Sequence, residues 1–275
     1  MLNRIYNFFT NKFLKRSIND INRNTALITI KKLLELEKKK NPKSLITHGY
    51  KVFSQQDEDG IIEEILSRVK DSTNTFIEIG LEDGNECNTA NLLFQEWDGL
   101  WIESNLKHVE TIKKNFKSFI GTKLYVVHKK VTPSNINEVI AQNIKFNNVG
   151  VLSVDIGVHT FHVLEKISVI HPKVVVVEYN AKYGPKIDWK INYDEELTWD
   201  GSDYYGASLK AFEIMMREKG YLLVACNITG VNAFFISKDL MNDKFVENYS
   251  SEFHFTEGRY WLKKAFDKNY KVKIK

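Results

Sequence analysis

Short apolar runs alternate with helix-period segments from residue 53 to residue 237, and no other feature narrows the possible folds so far. The runs are rich in β-branched and aromatic residues and fall at 75–79, 99–103, 123–131, 149–156, 173–178, 221–227 and 232–237. Helical patterns fill the gaps at 56–69, 88–96, 107–115, 134–142, 161–168 and 207–219. Runs such as VVVVE and VGVLSV are apolar on both faces of a strand, so they need cover on both sides. Long crossovers between them make the pairing parallel. The expected fold is α/β, a Rossmann-like and mostly parallel sheet with helices on both faces. The last two runs are joined by a turn containing Gly230, which predicts a terminal antiparallel β-hairpin.

Within that frame the segment FIEIGLEDG, 76–84, carries the chemistry. A strand runs into a turn in which Gly80 permits close backbone approach and Gly84 relaxes the entry to the next helix. Nineteen residues further on, GLWIES ends a second strand in the acid Glu103. A glycine turn after one strand and an acid at the tip of the next is how doubly wound folds hold a nucleoside, the acid accepting ribose hydroxyls. The spacing is G-x-x-x-G rather than the G-x-G-x-x-G of a pyrophosphate site, and Glu82, Asp83 and Glu86 would repel phosphate. S-adenosylmethionine, with a sulfonium, an ammonium, a ribose and no phosphate, has the matching character. Taken alone the loop also reads as an ordinary strand-to-helix turn.

Other candidates sit at strand ends. Asp155 closes the fourth run, where carboxyl ends of strands face the ligand crevice. It suits a general base or a partner of the sulfonium, and it also suits a helix cap. Glu178 and Asn180 end the next strand with Tyr179 between them. Together with Asp155 they form an oxygen-ligand set for a divalent ion such as magnesium, although two residues two apart need a bend to share one ion, and the metal-free reading is favoured. The 192–205 segment is long, acidic and aromatic, with Tyr193, Asp194, Trp199, Asp200, Asp203, Tyr204 and Tyr205. Loops of that length are often functional. Tyr179, Tyr204 and Tyr205 are the candidate substrate contacts; a loop that only packs on the sheet is the alternative.

Charge divides the chain. Residues 1–43 hold 11 Lys or Arg against 3 Asp or Glu, so the remainder is net acidic although the whole chain is +4. The arm repeats Leu2, Ile5, Phe8, Phe9, Phe13 and Leu14 at roughly helical spacing beside Arg4, Lys12, Lys15 and Arg16. Two readings stay open for it: a helix packed on the body or on a second subunit, making a homo-oligomer, or peripheral contact with an anionic membrane. No basic patch with interleaved aromatics extends into the body, which argues against nucleic acid. Two cysteines, Cys87 and Cys226, are too few for a disulfide framework, and no apolar run reaches the roughly 20 residues of a membrane span. The expected setting is cytoplasmic, including the inner face of the membrane. The division expected is an arm at 1–43, an S-adenosylmethionine-binding domain at 44–247 and a helical appendage at 248–275.

Seven blocks in order carry a resemblance: FSQQDEDGIIEEI at 53–65, FIEIGLEDGNECNTANLL at 76–93, WDGLWIES at 97–104, LSVDI at 152–156, VVVVEYNAKYGP at 174–185, YYGASLKAF at 204–212 and KGYLLVACNITGVNAFFI at 219–236. The chain resembles class I S-adenosylmethionine-dependent methyltransferases of the FkbM-like kind, in particular those found with bacterial capsule and surface-polysaccharide biosynthesis. The resemblance implies a seven-stranded sheet, S-adenosyl-L-methionine as cofactor with S-adenosyl-L-homocysteine as product, and a small-molecule or glycan-precursor substrate methylated on oxygen or, alternatively, nitrogen. It implies that Glu78, Gly80, Asp83 and Gly84 form the cofactor loop, that Glu103 with Ser104 meets the ribose, and that Asn88 and Thr89 open the next helix as caps or as contacts to the methionine moiety. Gln55 and Asp59 fall in a segment placed over the cofactor or in a solvated helix start. Where the family runs I-D-G-x-D-Y-W, this chain has IGVHTFH, so an acid and an aromatic are replaced by His159 and His162. Either histidine suits a substitute base; both also suit surface positions. A dinucleotide-linked oxidoreductase and a non-catalytic cofactor-binding subunit are the competing classes.

Overall fold

The computed structural model describes residues 2–70 and 73–266. Seven strands form one sheet in the order β3-β2-β1-β4-β5-β7-β6. They are β1 (Thr75–Ile79), β2 (Asp98–Glu103), β3 (Leu124–His128), β4 (Val151–Val154), β5 (Val174–Glu178), β6 (Tyr221–Cys226) and β7 (Asn232–Ser237). The first five pair in parallel, and β7 runs antiparallel between β5 and β6. This is the mostly parallel sheet with a closing antiparallel hairpin that the alternation predicts.

Helices cover both faces because the central strands are apolar on both. One core gathers Ile77, Leu100, Leu152, Val175, Phe212 and Phe235, and the other Phe76, Trp101, Val151, Val176, Phe234 and Ile65. The covering helices are α2 (Glu58–Val69), α3 (Ala90–Phe94), α4 (Leu106–Asn115), α5 (Ile136–Asn143), α6 (Thr160–Lys166) and α7 (Leu209–Glu218). Their starts follow local chemistry. Asn105 caps α4 by accepting from the Lys107 amide at 2.9 Å, and Ser208 caps α7 by accepting from the Ala211 amide at 3.1 Å. The bounds of β1 and β7 fall where the sequence pattern puts them and most others within about two residues; the expected helix at 88–96 shrinks to Ala90–Phe94 because Asn88 and Thr89 are drawn to β1.

The chain's two outer portions meet each other. Helix α1 (Leu2–Lys40) lays Ala26, Ile30, Leu33 and Leu34 against Leu262, Ala265 and Phe266 of a 3-10 stretch at Tyr260–Phe266. The C-terminal part is thus a short helix α8 (Ser251–His254) and this 3-10 stretch, where the sequence suggested one appended helix. The arm's side chains at residues 2–13, among them Leu2, Arg4, Ile5, Phe8, Phe9, Lys12 and Phe13, lie outside the described residues, as does the appendage from 267 onward. Among the described residues no helix is long and apolar enough to cross a membrane.

Candidate active site

The carboxyl ends of β1, β2, β4, β5 and β6 lie along one edge, and four of them deliver an acid or amide there. Glu78 points inward from β1. Its carboxylate accepts from the Asn88 amide (2.8 Å), the Thr89 amide (3.0 Å) and the Thr89 hydroxyl (2.6 Å), while the Thr89 hydroxyl accepts from the Trp101 indole at 2.8 Å. Burial pushes the Glu78 carboxyl up to about 7, with the nearby Asp155 adding to the rise. Thr89 is fully buried, and Asn88 donates its side-chain amide to Ser153 at 3.0 Å. These two therefore organise the loop from beneath; neither makes a helix-capping bond.

Gly80 turns the chain at φ +76, and a Cβ there would lie 2.0 Å from the Asp155 carbonyl oxygen. Only glycine fits between the ends of β1 and β4. Past it, Glu82 also takes a positive φ, and Asp83 closes a small turn by accepting from the Asn85 amide at 3.1 Å. Gly84 at φ +78 completes the loop against Phe116. Glu103, at the tip of β2, engages this loop directly. One carboxylate oxygen accepts from the Leu81 and Glu82 amides at 3.3 and 3.0 Å; the other accepts from the Asn105 amide at 2.8 Å and the Ser104 hydroxyl at 3.3 Å. The acid expected to meet a ribose thus already holds four donors, as many as a carboxylate accommodates.

Asp155 and Glu178 end adjacent strands and lie close enough that each carboxyl shifts the other. Asp155 is exposed at the crevice and Glu178 half-buried. Burial, then the negative charge of Asp155, holds the Glu178 carboxyl well above the usual range, so Glu178 is the member that keeps its proton. Glu178 borders a cavity of about 420 Å³ walled by Gln55, Trp199, Asp203, Tyr205, Tyr260 and Lys263. Lys182 stands at the same wall, paired with Asp203 at 3.1 Å.

Several sequence-suggested residues face elsewhere. Tyr179 is buried, with its hydroxyl donating to the Thr256 carbonyl at 2.6 Å, so it is core and not a substrate contact. Asn180 is also buried. It donates to the Asp203 and Tyr205 carbonyls, both at 2.9 Å, and its amide oxygen accepts from the Lys182 amide at 3.0 Å. It pins the 203–205 loop and joins neither the carboxyl pair nor a metal set; among the described residues no group of three or more His, Cys, Asp or Glu is placed to hold an ion. His159 donates through Nε2 to the Leu197 carbonyl (3.1 Å) and His162 through Nε2 to the Ile191 carbonyl (2.7 Å), and both rings meet Tyr193 edge-on. Burial lowers the His159 pKa. The histidines hold the 191–197 loop down. Tyr204 is exposed and packs edge-on against Trp189, away from the cavity, whereas Tyr205 lines it.

The 53–59 segment is neither solvated nor a simple helix start. Asp59 accepts from the Val52, Phe53 and Ser54 amides at 2.7–2.8 Å, Phe53 stacks on Phe94 at 4.6 Å, and Gln55 reaches the cavity wall. Glu58 accepts from the side-chain amides of Asn227 and Asn232, each at 2.8 Å, and Asp57 from the Ile228 amide at 3.1 Å. Sequence reasoning missed this buried network and the wall residues Tyr260 and Lys263. Their partners lie far away in the chain, and nothing in the local pattern signals them.

No protein-family model matches the chain, and no curated protein matches it in sequence. Among solved structures it is similar to a putative caffeoyl-CoA O-methyltransferase from Staphylococcus aureus, with 14% identity, 76% of this chain and 99% of that one covered, and a TM-score of 0.46. It is also similar to magnesium protoporphyrin IX methyltransferase from Synechocystis PCC 6803 with bound SAH, at 9% identity, 66% and 83% coverage and a TM-score of 0.43. A third is an S-adenosylmethionine-dependent methyltransferase from Clostridium acetobutylicum ATCC 824, at 10% identity, 64% and 89% coverage and a TM-score of 0.38.

Proposed function

We propose that the chain is an S-adenosylmethionine-dependent methyltransferase acting on a hydroxyl of a polar, sugar-like precursor of a bacterial surface polysaccharide. One observation carries the reading: Glu82 and Asp155 lie within electrostatic reach of each other, beside a glycine turn with no room for a side chain. Such a crevice repels a pyrophosphate and favours a cation. A sulfonium and an ammonium fit it; a nicotinamide dinucleotide does not. The ordered sequence blocks from 53 to 236 support the polysaccharide setting.

When bound, the cofactor supplies a methyl group already activated by positive sulfur. The chain's contribution is alignment and proton handling. Glu103 accepts ribose hydroxyls in place of its two longest present bonds, from the Leu81 amide and the Ser104 hydroxyl, each 3.3 Å. The acceptor sits in the cavity beside Glu178, with Trp199 and Tyr205 offering ring faces to a sugar. Asp155 takes the proton from the acceptor hydroxyl, while Glu178 keeps its own and orients Asp155 by donating to it.

The test combines calorimetric titration of S-adenosylhomocysteine with methyl transfer from labelled cofactor to extracted glycan precursors. Asp155→Asn retains binding and loses turnover by about 100-fold, the usual range for removing a general base. Failure of the parent to bind S-adenosylhomocysteine at millimolar concentration, or binding of a nicotinamide dinucleotide in its place, refutes the proposal.

A further inference from the structure

Helix α1 has two apolar stripes, and the body covers only one. Ala26, Ile30, Leu33 and Leu34 face the C-terminal 3-10 stretch. Leu14, Ile18, Ile21, Thr25 and Ile28 recur at spacings of four, three, four and three, and roughly 140° of helix rotation separates them from the body-facing stripe. They are open to solvent: Leu14 and Ile18 are each 56% exposed, Ile21 63% and Ile28 70%. None of residues 14–25 is buried.

That exposed stretch is badly suited to standing alone. Residues 17–25 read SINDINRNT, in which Arg23 is the one strong helix former. Isolated helices of this length are marginal in water even with favourable sequences. The helix therefore needs a surface for the second stripe, and the rim of that stripe identifies which. A helix lying on an anionic membrane carries Lys or Arg along the border of its apolar face. Here the border between 17 and 29 is Ser17, Asn22, Asn24 and Thr29, all uncharged, with Lys15 and Lys31 flanking it only at the two ends, while Arg16, Asp20 and Arg23 lie further round. A neutral rim around alternating four-three spacing is what an identical helix accepts without like-charge repulsion.

We propose that this stripe is where a second copy of the chain docks, through its own α1, forming an antiparallel two-helix seam. Lys32 sets the direction. It continues the line of the stripe one turn past Ile28, so parallel pairing would place it on its own copy, whereas antiparallel pairing separates the two lysines. Ile18 of each copy then sits beside Ile21 of the other. The seam lies on the face turned away from the body and leaves the strand-edge crevice free.

Sedimentation equilibrium at micromolar concentration tests the pairing, with Ile18→Lys/Ile21→Lys as the perturbed form. The parent is expected at twice the 32.0 kDa of one chain, and the double variant at the mass of one chain with an unchanged near-ultraviolet circular dichroism spectrum. A monomeric parent that floats with phosphatidylglycerol-rich vesicles overturns the proposal in favour of a membrane surface; a double variant that stays dimeric overturns it as well. Cys87 and Cys226 are buried, so introduced cysteines report cleanly. Oxidation of an equal mixture of Ile18→Cys and Ile21→Cys chains gives mainly the mixed disulfide dimer if the seam is antiparallel. Predominantly like-with-like crosslinks overturn that arrangement.

Discussion

Replacing Gly80 by alanine tests whether the close approach of β1 and β4 builds the site. Two costs arise there. The first is the positive φ of +76, worth about 1–2 kcal/mol for a residue with a Cβ. The second is contact: the new Cβ falls 2.0 Å from the Asp155 carbonyl oxygen and 2.5 Å from Ile156 Cγ2, so backbone must separate by about 1 Å. The atoms that would have to move carry the bonds from the Gly80 amide to the Ile102 carbonyl and from the Asp155 amide to the Ile79 carbonyl, both 3.0 Å. Leaving either unmade costs about 1–3 kcal/mol, which brings the total to about 2–5 kcal/mol. Gly121 is the control, since its φ is +78 and a Cβ there meets nothing within 4 Å. Gly121→Ala carries the strain without the contact, about 1–2 kcal/mol. Urea unfolding of the two variants and the parent, compared by midpoint at constant slope, separates the costs. If Gly80→Ala and Gly121→Ala lose the same stability, the strand ends are not in the contact described, and the placement of Asp155 beside the loop falls with it.

Two further expectations concern the buried polar groups. Burial pushes Asp57 up to about 8 and Glu78 up to about 7, so the folded chain holds protons that the unfolded chain releases near pH 4. The stability they contribute is therefore complete below about pH 4 and is lost progressively as pH rises from there to 7 for Glu78 and 8 for Asp57. Asp57→Asn removes much of that slope and melts above the parent at pH 8.5; a parent whose melting temperature climbs from pH 5.5 to 8.5 would contradict the burial of these acids. Asn180→Ala removes both donors that hold the Asp203 and Tyr205 carbonyls. It is expected to cost about 2 kcal/mol and to open the 192–205 loop to limited proteolysis, and unchanged cleavage would show that the amide does not pin the loop.

How much of this was legible depends on how far apart the interacting residues lie. The strand at 75–79 and its glycine turn are read from a few adjacent residues, because β-branched composition and the turn lie within one window. The tip positions of Asp155 and Glu178 follow from the same local reading. Local pattern places Tyr179 and Asn180 at the crevice with Glu178, but the chain bends past Glu178 so that Tyr179 enters the core and Asn180 holds the 203–205 loop. Gln55 and Asp59 suit a solvated helix start because nothing in the local pattern shows the Val52, Phe53 and Ser54 amides folding back onto Asp59, and the donors to the neighbouring Glu58, Asn227 and Asn232, lie about 170 residues away. His159 and His162 suit either a base or a surface position from sequence alone, because the Leu197 and Ile191 carbonyls that they donate to lie outside the local pattern.

The 3-10 stretch at Tyr260–Phe266 serves two masters with alternating side chains. Tyr260 and Lys263 wall the cavity beside Glu178, while Leu262 and Ala265 are set into α1. One short stretch thus joins the arm to the wall of the crevice, and any effect of gripping the arm on the affinity of the cavity would by linkage be returned by the same factor.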